Sequence, residues 1–207
     1  MDNIIGIGAL TDQSSSNDIF DKLMKTQYEN RILVINQEID DCMIEDFMLH
    51  ILNWNRFDID VPKEKRRPIK IYMNSAGGDV MITAALIDLI EQSETPIWGI
   101  NIGLAASAAY QIFIACHKRI SLKNGIFLQH DGNVSVSTSG NKARNVMEFF
   151  DSLDDLFKAQ VLNRTTMTEE FYNKMYDQEF WFFATQGKEL GVVDEIIGED
   201  CTINDIL

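Results

Sequence analysis

Residues 96–116 read PIWGINIGLAASAAYQIFIAC, and this stretch decides the fold. Residues 96–102 are rich in β-branched and aromatic side chains, which predicts a strand. The chain is expected to turn at Gly103, and Ser107 follows among Ala105, Ala106, Ala108 and Ala109. Small neighbours let backbone come close to whatever Ser107 touches. A helix then runs to about Cys116. A strand that turns into a helix leaves the first helical N–H groups free to face a ligand. An alanine-rich helix start with one serine is also common in buried cores. Ser107 therefore acquires chemical meaning only if the remaining chain supplies a base and an oxyanion site.

The same strand–break–helix unit recurs upstream. Residues 69–73 predict a strand, residues 74–78 (NSAGG) a sharp break, and residues 80–90 an apolar helix ending near Gln92. Before them, residues 31–35 predict a strand. Asp40 or Asp41 then caps a helix to about Asn53, with Met43, Ile44, Phe47, Met48 and Ile51 at helical spacing. His50 rides on that helix without a sequence partner and reads as structural or exposed. Downstream, residues 119–122 and 125–129 predict two more strands, and His130 ends the second. This alternation predicts an α/β fold with parallel strands and right-handed crossovers. In such sheets functional groups gather at the carboxyl ends of strands. Gly77-Gly78, Ser107 and His130 all fall there.

The flanking segments are less regular. Residues 1–17 combine an apolar, glycine-containing patch with a polar tail. They predict a terminal segment that orders on a partner or stays disordered. Residues 18–24 predict a short helix. Residues 132–138 alternate Val134 and Val136 with Ser135 and Ser137, which predicts a two-faced strand or ribbon. The longest predicted helix covers residues 145–162, with a broad stripe of Val146, Phe149, Phe150, Leu153, Leu156 and Phe157 suited to a subunit interface. Thr168 starts a further short helix, Phe180, Trp181, Phe182 and Phe183 form an aromatic run, residues 186–190 predict a helix, and residues 192–197 a closing strand.

The composition excludes several classes. The chain has 207 residues, enough for one substantial core, and 18 Lys plus Arg against 32 Asp plus Glu give a net charge of −14. That disfavours a general nucleic-acid surface, and the one basic cluster, Lys63, Lys65, Arg66 and Arg67, reads as a solvated loop. No apolar run reaches the roughly 18 residues of a membrane span. The first residues lack the basic region of a secretory signal. Cys42, Cys116 and Cys201 have no ligand spacing and are odd in number, which fits a reducing cytoplasm. With no metal-ligand spacing and no phosphate-loop ending after Gly77-Gly78, no cofactor is expected.

Acyl transfer by serine needs a nucleophile, a base, an acid that orients the base, and two donors for the oxyanion. Ser107 is the candidate nucleophile and His130 the candidate base. Gly77, Gly78 and the Ala108 N–H are the candidate oxyanion donors, since a Cβ at the glycines would obstruct a substrate carbonyl. A GxSxG elbow is absent, which disfavours an α/β-hydrolase.

The order and wording of these motifs resemble the ClpP serine proteases. YMNSAGG at residues 72–78 is similar to their Y-I-N-S-P-G-G, and GLAAS at residues 103–107 to their G-x-A-A-S nucleophile turn. NGIFLQH at residues 124–130 is similar to N-S-R-V-M-I-H, ELGVVD at residues 189–194 to E-Y-G-L-V-D, and DIFDKL at residues 18–23 to D-I-Y-S-R-L. The resemblance spans roughly residues 17–198.

It implies a crotonase-like α/β fold and a compartmental protease of two stacked heptameric rings, located in the cytoplasm. Residues 1–17 would form an axial-loop segment at the pore, where a Clp-type AAA+ unfoldase docks. Residues 18–207 would form the protease domain, with a handle at about residues 132–165 making the contact between rings. The substrates would be unfolded proteins or peptides, with no role for nucleic acid or membrane.

Four departures stand out. Ala76 replaces the usual Pro, Asp79 replaces an apolar residue, and Asp131-Gly132 replaces the usual Gln-Pro after the histidine. Aligned through Ala184 and Gly191, the family's catalytic aspartate falls on Glu179, with Asp177 as the rival. Glutamate reaches about one C–C bond farther than aspartate and serves as a triad acid in other folds. Two further readings are a non-catalytic ring subunit, suggested by the altered acid, and a crotonase-type acyl-CoA enzyme with a backbone oxyanion hole.

Overall fold

The computed structural model of the chain describes residues 13–132, 134–176 and 178–207. Its centre is a sheet whose main path runs through five parallel strands. These are β1 (Ile32–Ile35), β2 (Ile69–Ser75), β3 (Ile97–Ala106), β4 (Lys118–Leu122) and β7 (Glu195–Ile197), adjacent in that order. A side arm leaves this path. β5 (Ile126–Gln129) pairs parallel with β3, and β6 (Phe180–Phe183) pairs antiparallel with β5. The parallel α/β expectation holds for every pair but the last.

The helices are α1 (Gln13–Glu29), α2 (Leu49–Phe57), α3 (Val80–Gln92), α4 (Ala108–Ala115), α5 (Gly140–Arg164), α6 (Glu169–Tyr176) and α7 (Ala184–Glu189). The main core lies between one sheet face and helices α2 to α7, and includes Ile35, Met43, Ile51, Trp54, Ile71, Met73, Leu86, Phe113, Phe127 and Val161. α4 is buried along its whole length, because its residues are all apolar or small apart from Gln111. The opposite sheet face is covered by the end of the chain. Ile206 packs with Ile100 and Ile120, the Tyr72 hydroxyl donates to the Ile206 carbonyl at 2.6 Å, and Lys70 Nζ donates to the Leu207 carbonyl.

The amino ends of the strands are pinned by charge. Arg31 donates in bidentate fashion to Asp58 at 2.5 and 2.7 Å, and Thr95 Oγ1 adds a third bond at 2.8 Å. These hydrogen bonds, led by those of Arg31, hold the buried Asp58 carboxyl below the usual carboxylate range against the opposing effect of burial. Arg164, at the end of α5, donates to the Ile114, Ala115 and Cys116 carbonyls at 3.2, 3.0 and 2.6 Å, and so caps the C-terminus of α4.

Several sequence expectations are corrected. The chain does not turn at Gly103. β3 continues to Ala106, and Gly103 marks a close approach instead, since a Cβ there would lie 2.5 Å from Asn74 Oδ1. The described part of residues 132–138 contains no strand, because its alternating pattern has no neighbouring edge to pair with. The helix expected over residues 40–53 is divided into a wide turn at Ile44–Met48 and α2, which leaves Ile44 exposed. Arg66, expected in a solvated loop, tucks its guanidinium against the Val61 carbonyl (2.9 Å) and Glu94 (3.1 Å). α5 extends the predicted long helix in both directions. α1 begins at Gln13, inside the segment predicted as 1–17, while residues 1–12 lie outside the described residues. His50 is half-buried and packs its ring with Tyr28 and Trp54, as a structural residue would.

Candidate active site

The site is built where β3 changes partners. Residues Trp98 to Asn101 pair with β4, whereas Leu104 to Ala106 pair with β5. The buried Asn101 occupies the fork. Its Nδ2 donates to the Ile126 carbonyl at 2.9 Å, and its Oδ1 accepts from the Gly103 N–H at 3.0 Å. A polar side chain here replaces the ladder bonds lost where the two neighbouring strands diverge. The divergence lets β3 run five residues past its last pair with β4, the final three beside β5, and Ser107 follows at its end.

Ser107 adopts φ 53° and ψ −121°. Such a conformation is unfavourable for a residue with a side chain, and it persists only where the surroundings enforce it. They do so here from both sides. The Ser107 N–H donates to the Leu128 carbonyl of β5 at 2.9 Å, and its carbonyl accepts from Gln111 in the first turn of α4 at 3.2 Å. The amide of Ala108 heads α4 and has no acceptor among the described residues.

The Gly77-Gly78 turn closes on this point. Gly77 has φ +106°, and a Cβ on it would lie 2.8 Å from Ser107 Cβ and 2.9 Å from both the Ala106 carbonyl oxygen and the Ala108 nitrogen. Only glycine fits that contact. The turn is held by Ser75, whose Oγ donates to the Gln37 carbonyl at 2.5 Å and accepts from the Gly77 N–H at 3.1 Å. Next to it, Ile39 bridges the backbone on either side of Gly78. The Ile39 N–H donates to Gly77 at 2.9 Å, and its carbonyl accepts from Asp79 at 2.8 Å. The Gly78 amide is left without an acceptor among the described residues. Asp79 then caps α3 by accepting from Met81 and Ile82 at 2.8 and 2.9 Å, which gives a structural reason for an acid at a position predicted as unusual.

His130 and Glu179 belong to the side arm. The last registered pair of β5 and β6 is Gln129 with Phe180, so His130 and Glu179 stand one step beyond the ladder on facing strands. In a regular antiparallel ladder such facing residues have Cβ atoms about 5 Å apart. The buried Gln129 accepts from the Tyr110 hydroxyl at 3.4 Å, which ties the residue before His130 to α4. Burial pushes the Tyr110 phenol far up and keeps it neutral. Neither Ser107 Oγ nor the His130 imidazole makes a hydrogen bond among the described residues. The Glu179 carboxylate instead accepts from the Trp181 indole N–H at 3.2 Å. Asp177, the rival acid, lies outside the described residues.

Three contributors escape a reading of the sequence. Asn101 resembles an ordinary strand residue, although a polar side chain inside an apolar run is a visible signal. Ser75 is part of a motif but has no role that spacing assigns. Trp181 reads as one of four aromatics, yet its spacing of two from Glu179 puts both on one face of a strand. Among the described residues, the acidic and thiol side chains that lie close enough to hold an ion together are Asp40, Asp41 and Cys42, which are consecutive and exposed. No helix is long and apolar enough to cross a membrane among the described residues.

A mostly parallel α/β sheet, with a strained serine at a strand–helix junction packed against a double-glycine turn, defines a class in which backbone amides without acceptors lie next to one side chain. Comparison with known proteins narrows that class. The family model "Clp protease" matches residues 12–200. The ATP-dependent Clp protease proteolytic subunit 2 of Corynebacterium efficiens is 29% identical over 185 residues, covering 88% of this chain and 87% of the relative. Its namesake from Frankia casuarinae is 30% identical, covering 87% and 79%. The solved structure of a ClpP1 point mutant from Listeria monocytogenes superposes with a TM-score of 0.72 at 24% identity, covering 89% of this chain and 99% of that one, and shares its fold. The chain belongs to the Clp protease family.

Proposed function

We propose that the chain is a serine endopeptidase, the proteolytic subunit of a compartmental Clp-type protease. One observation carries the reading: Ser107 is held at φ 53° against Gly77, with the Gly78 and Ala108 amides unpaired beside it among the described residues. A strained, backbone-locked serine next to two unengaged N–H groups is what a nucleophile and an oxyanion site require.

In this mechanism Ser107 Oγ attacks the peptide carbonyl carbon while His130 takes its proton. The carbonyl oxygen gathers negative charge between the Gly78 and Ala108 N–H groups. Gly78 serves as donor because the Gly77 amide already bonds Ser75, and Gly77 supplies the close contact that places the turn. The tetrahedral intermediate collapses as His130 returns the proton to the leaving amine, which leaves an ester on Ser107. Water, deprotonated by His130, then hydrolyses the ester and restores the serine. Glu179 orients the imidazole once it reaches His130.

By the same family reading, the chain assembles into two stacked heptameric rings, with α5 as the handle between them and residues 1–17 as the axial segment. An AAA+ unfoldase would deliver unfolded chains in the cytoplasm. The exposed Phe149 and Leu156, seven residues apart and so on one face of α5, support a buried contact there, since large apolar side chains on one helix face seek a partner. The test is hydrolysis of a small fluorogenic peptide by the assembled particle. Ser107→Ala is expected to reduce it to background, and unchanged turnover in that variant rejects the reading.

A second reading, a non-catalytic ring subunit, draws on a different observation. Glu179 bonds Trp181, and the His130 imidazole lacks an acid among the described residues. It requires that the particle show no serine reactivity even with an ATPase present.

A further inference from the structure

We propose that the Trp181 indole is a positioning residue that holds Glu179 away from His130 at rest. The bond between them is a latch on the catalytic acid. This rests on the serine-peptidase reading above.

The argument is geometric. Glu179 and His130 are the first residues beyond the final registered pair of β5 and β6, so a ladder continued by one step would set them side by side on one face. Glu179 precedes β6 by one residue and is two from Trp181, and side chains of extended chain alternate faces, so Trp181 competes for the same carboxylate. At rest the competitor has it, at 3.2 Å, and the imidazole has no hydrogen bond among the described residues. The competitor is also free to move. Trp181 is 51% exposed, whereas the next inward residue, Phe182, is 4% exposed and stacks on Phe127 and Phe180. The strand is thus fixed by its inward face while its outward indole can swing.

The choice of glutamate fits the arrangement. Its extra methylene lets one carboxylate reach either neighbour without moving the strand. A peptide substrate seated on the exposed indole would withdraw the N–H and release Glu179 to His130. The acid is then a two-position group, and the observed rate scales with the fraction in the His130 position.

The test uses the assembled particle and two measurements. In the first, Trp181→Phe keeps the ring and removes the N–H. It is expected to raise peptidase kcat about threefold to tenfold with little change in KM. Glu179→Gln should erase that gain in the double variant. Equal or lower kcat in Trp181→Phe, or a gain that survives Glu179→Gln, overturns the latch. The second measurement needs no activity. With 15N-labelled tryptophan, the Trp181 indole N–H resonance is expected to move with carboxylate titration in the wild type and to stop doing so in Glu179→Gln. A resonance indifferent to Glu179→Gln overturns the latch even where no turnover is detectable. Failure of the underlying reading is separate: it appears as Ser107 inert in every variant while the indole resonance still responds to Glu179.

Discussion

The two halves of the candidate site are built on different principles. The half that holds Ser107 is locked. Its serine is bonded through both backbone groups, Gly77 leaves no room for a Cβ against Ala106, Ser107 and Ala108, and Ser75, Ile39 and Asp79 secure the turn behind it. The half that holds His130 and Glu179 extends past the end of a two-strand arm, and its acid leans on an exposed indole. Charge stabilisation at an oxyanion depends on donors fixed before the reaction, so the first half gains from rigidity. In the proposed mechanism the second half has only to orient a ring, and a bound peptide can complete it. On the proposed reading, the contrast teaches that one site can be preorganised where charge develops and adjustable where protons are relayed.

Breaking the locked half carries the largest expected effect short of removing Ser107 itself. Gly77→Ala places a methyl group 2.8 to 2.9 Å from Ser107 and its neighbours at a φ unsuited to alanine. Peptide turnover is expected to fall about 10³-fold, in line with loss of an oxyanion site, read as kcat with KM little changed. Near-normal turnover in a folded variant would remove the close-packed cradle from the account.

A smaller effect is expected at the opposite end of the sheet, where rigidity supports stability only. Asp58→Ala leaves the partly buried Arg31 without its carboxylate, with only the Arg67 carbonyl at 3.0 Å remaining, and should cost about 3 kcal/mol by denaturant unfolding. The sign of the pH dependence follows from the lowered Asp58 carboxyl. Its stabilisation is fully present above the unfolded-state value of about 4 and is lost as pH falls through the lower folded-state value. The wild-type chain should therefore lose more stability on acidification across that window than Asp58→Asn does.

In the adjustable half, Glu179→Gln is expected to lower kcat by about 10- to 100-fold, less than a fixed triad acid would, because in the proposed latch the carboxylate reaches His130 only part of the time. Asp177→Asn should change it less than about twofold; a larger loss there than in Glu179→Gln would transfer the role to Asp177. The smallest effect falls on the turn's outer support. Asp79→Ala removes the cap of α3 and should cost about 1 kcal/mol of stability with turnover nearly intact.

The locked half is the more legible one in the sequence. The break at residues 74–78 and the small residues around Ser107 reflect local backbone needs, and such needs show in local residue choice. The partner exchange of β3 is not legible. It depends on a long-range fork sealed by Asn101, so the residue pattern ends the strand at Gly103, short of its actual end at Ala106. Residues 132–138 mislead for the opposite reason, because alternation reports a strand only when an edge is available to pair with. The adjustable half is legible in its members but not in their connections. Motif alignment points to Glu179, while the competing Trp181 depends on strand pairing and a rotamer that no spacing rule reports.

The most direct test of the central claim is the reactivity of Ser107 itself. The assembled particle is treated with a fluorophosphonate probe and the adduct is mapped by mass spectrometry. The account predicts one stoichiometric adduct on the peptide containing Ser107, absent in Ser107→Ala and strongly slowed in His130→Ala. A particle that remains unlabelled at Ser107 with its partner ATPase present, or is labelled at the same rate without His130, would contradict it.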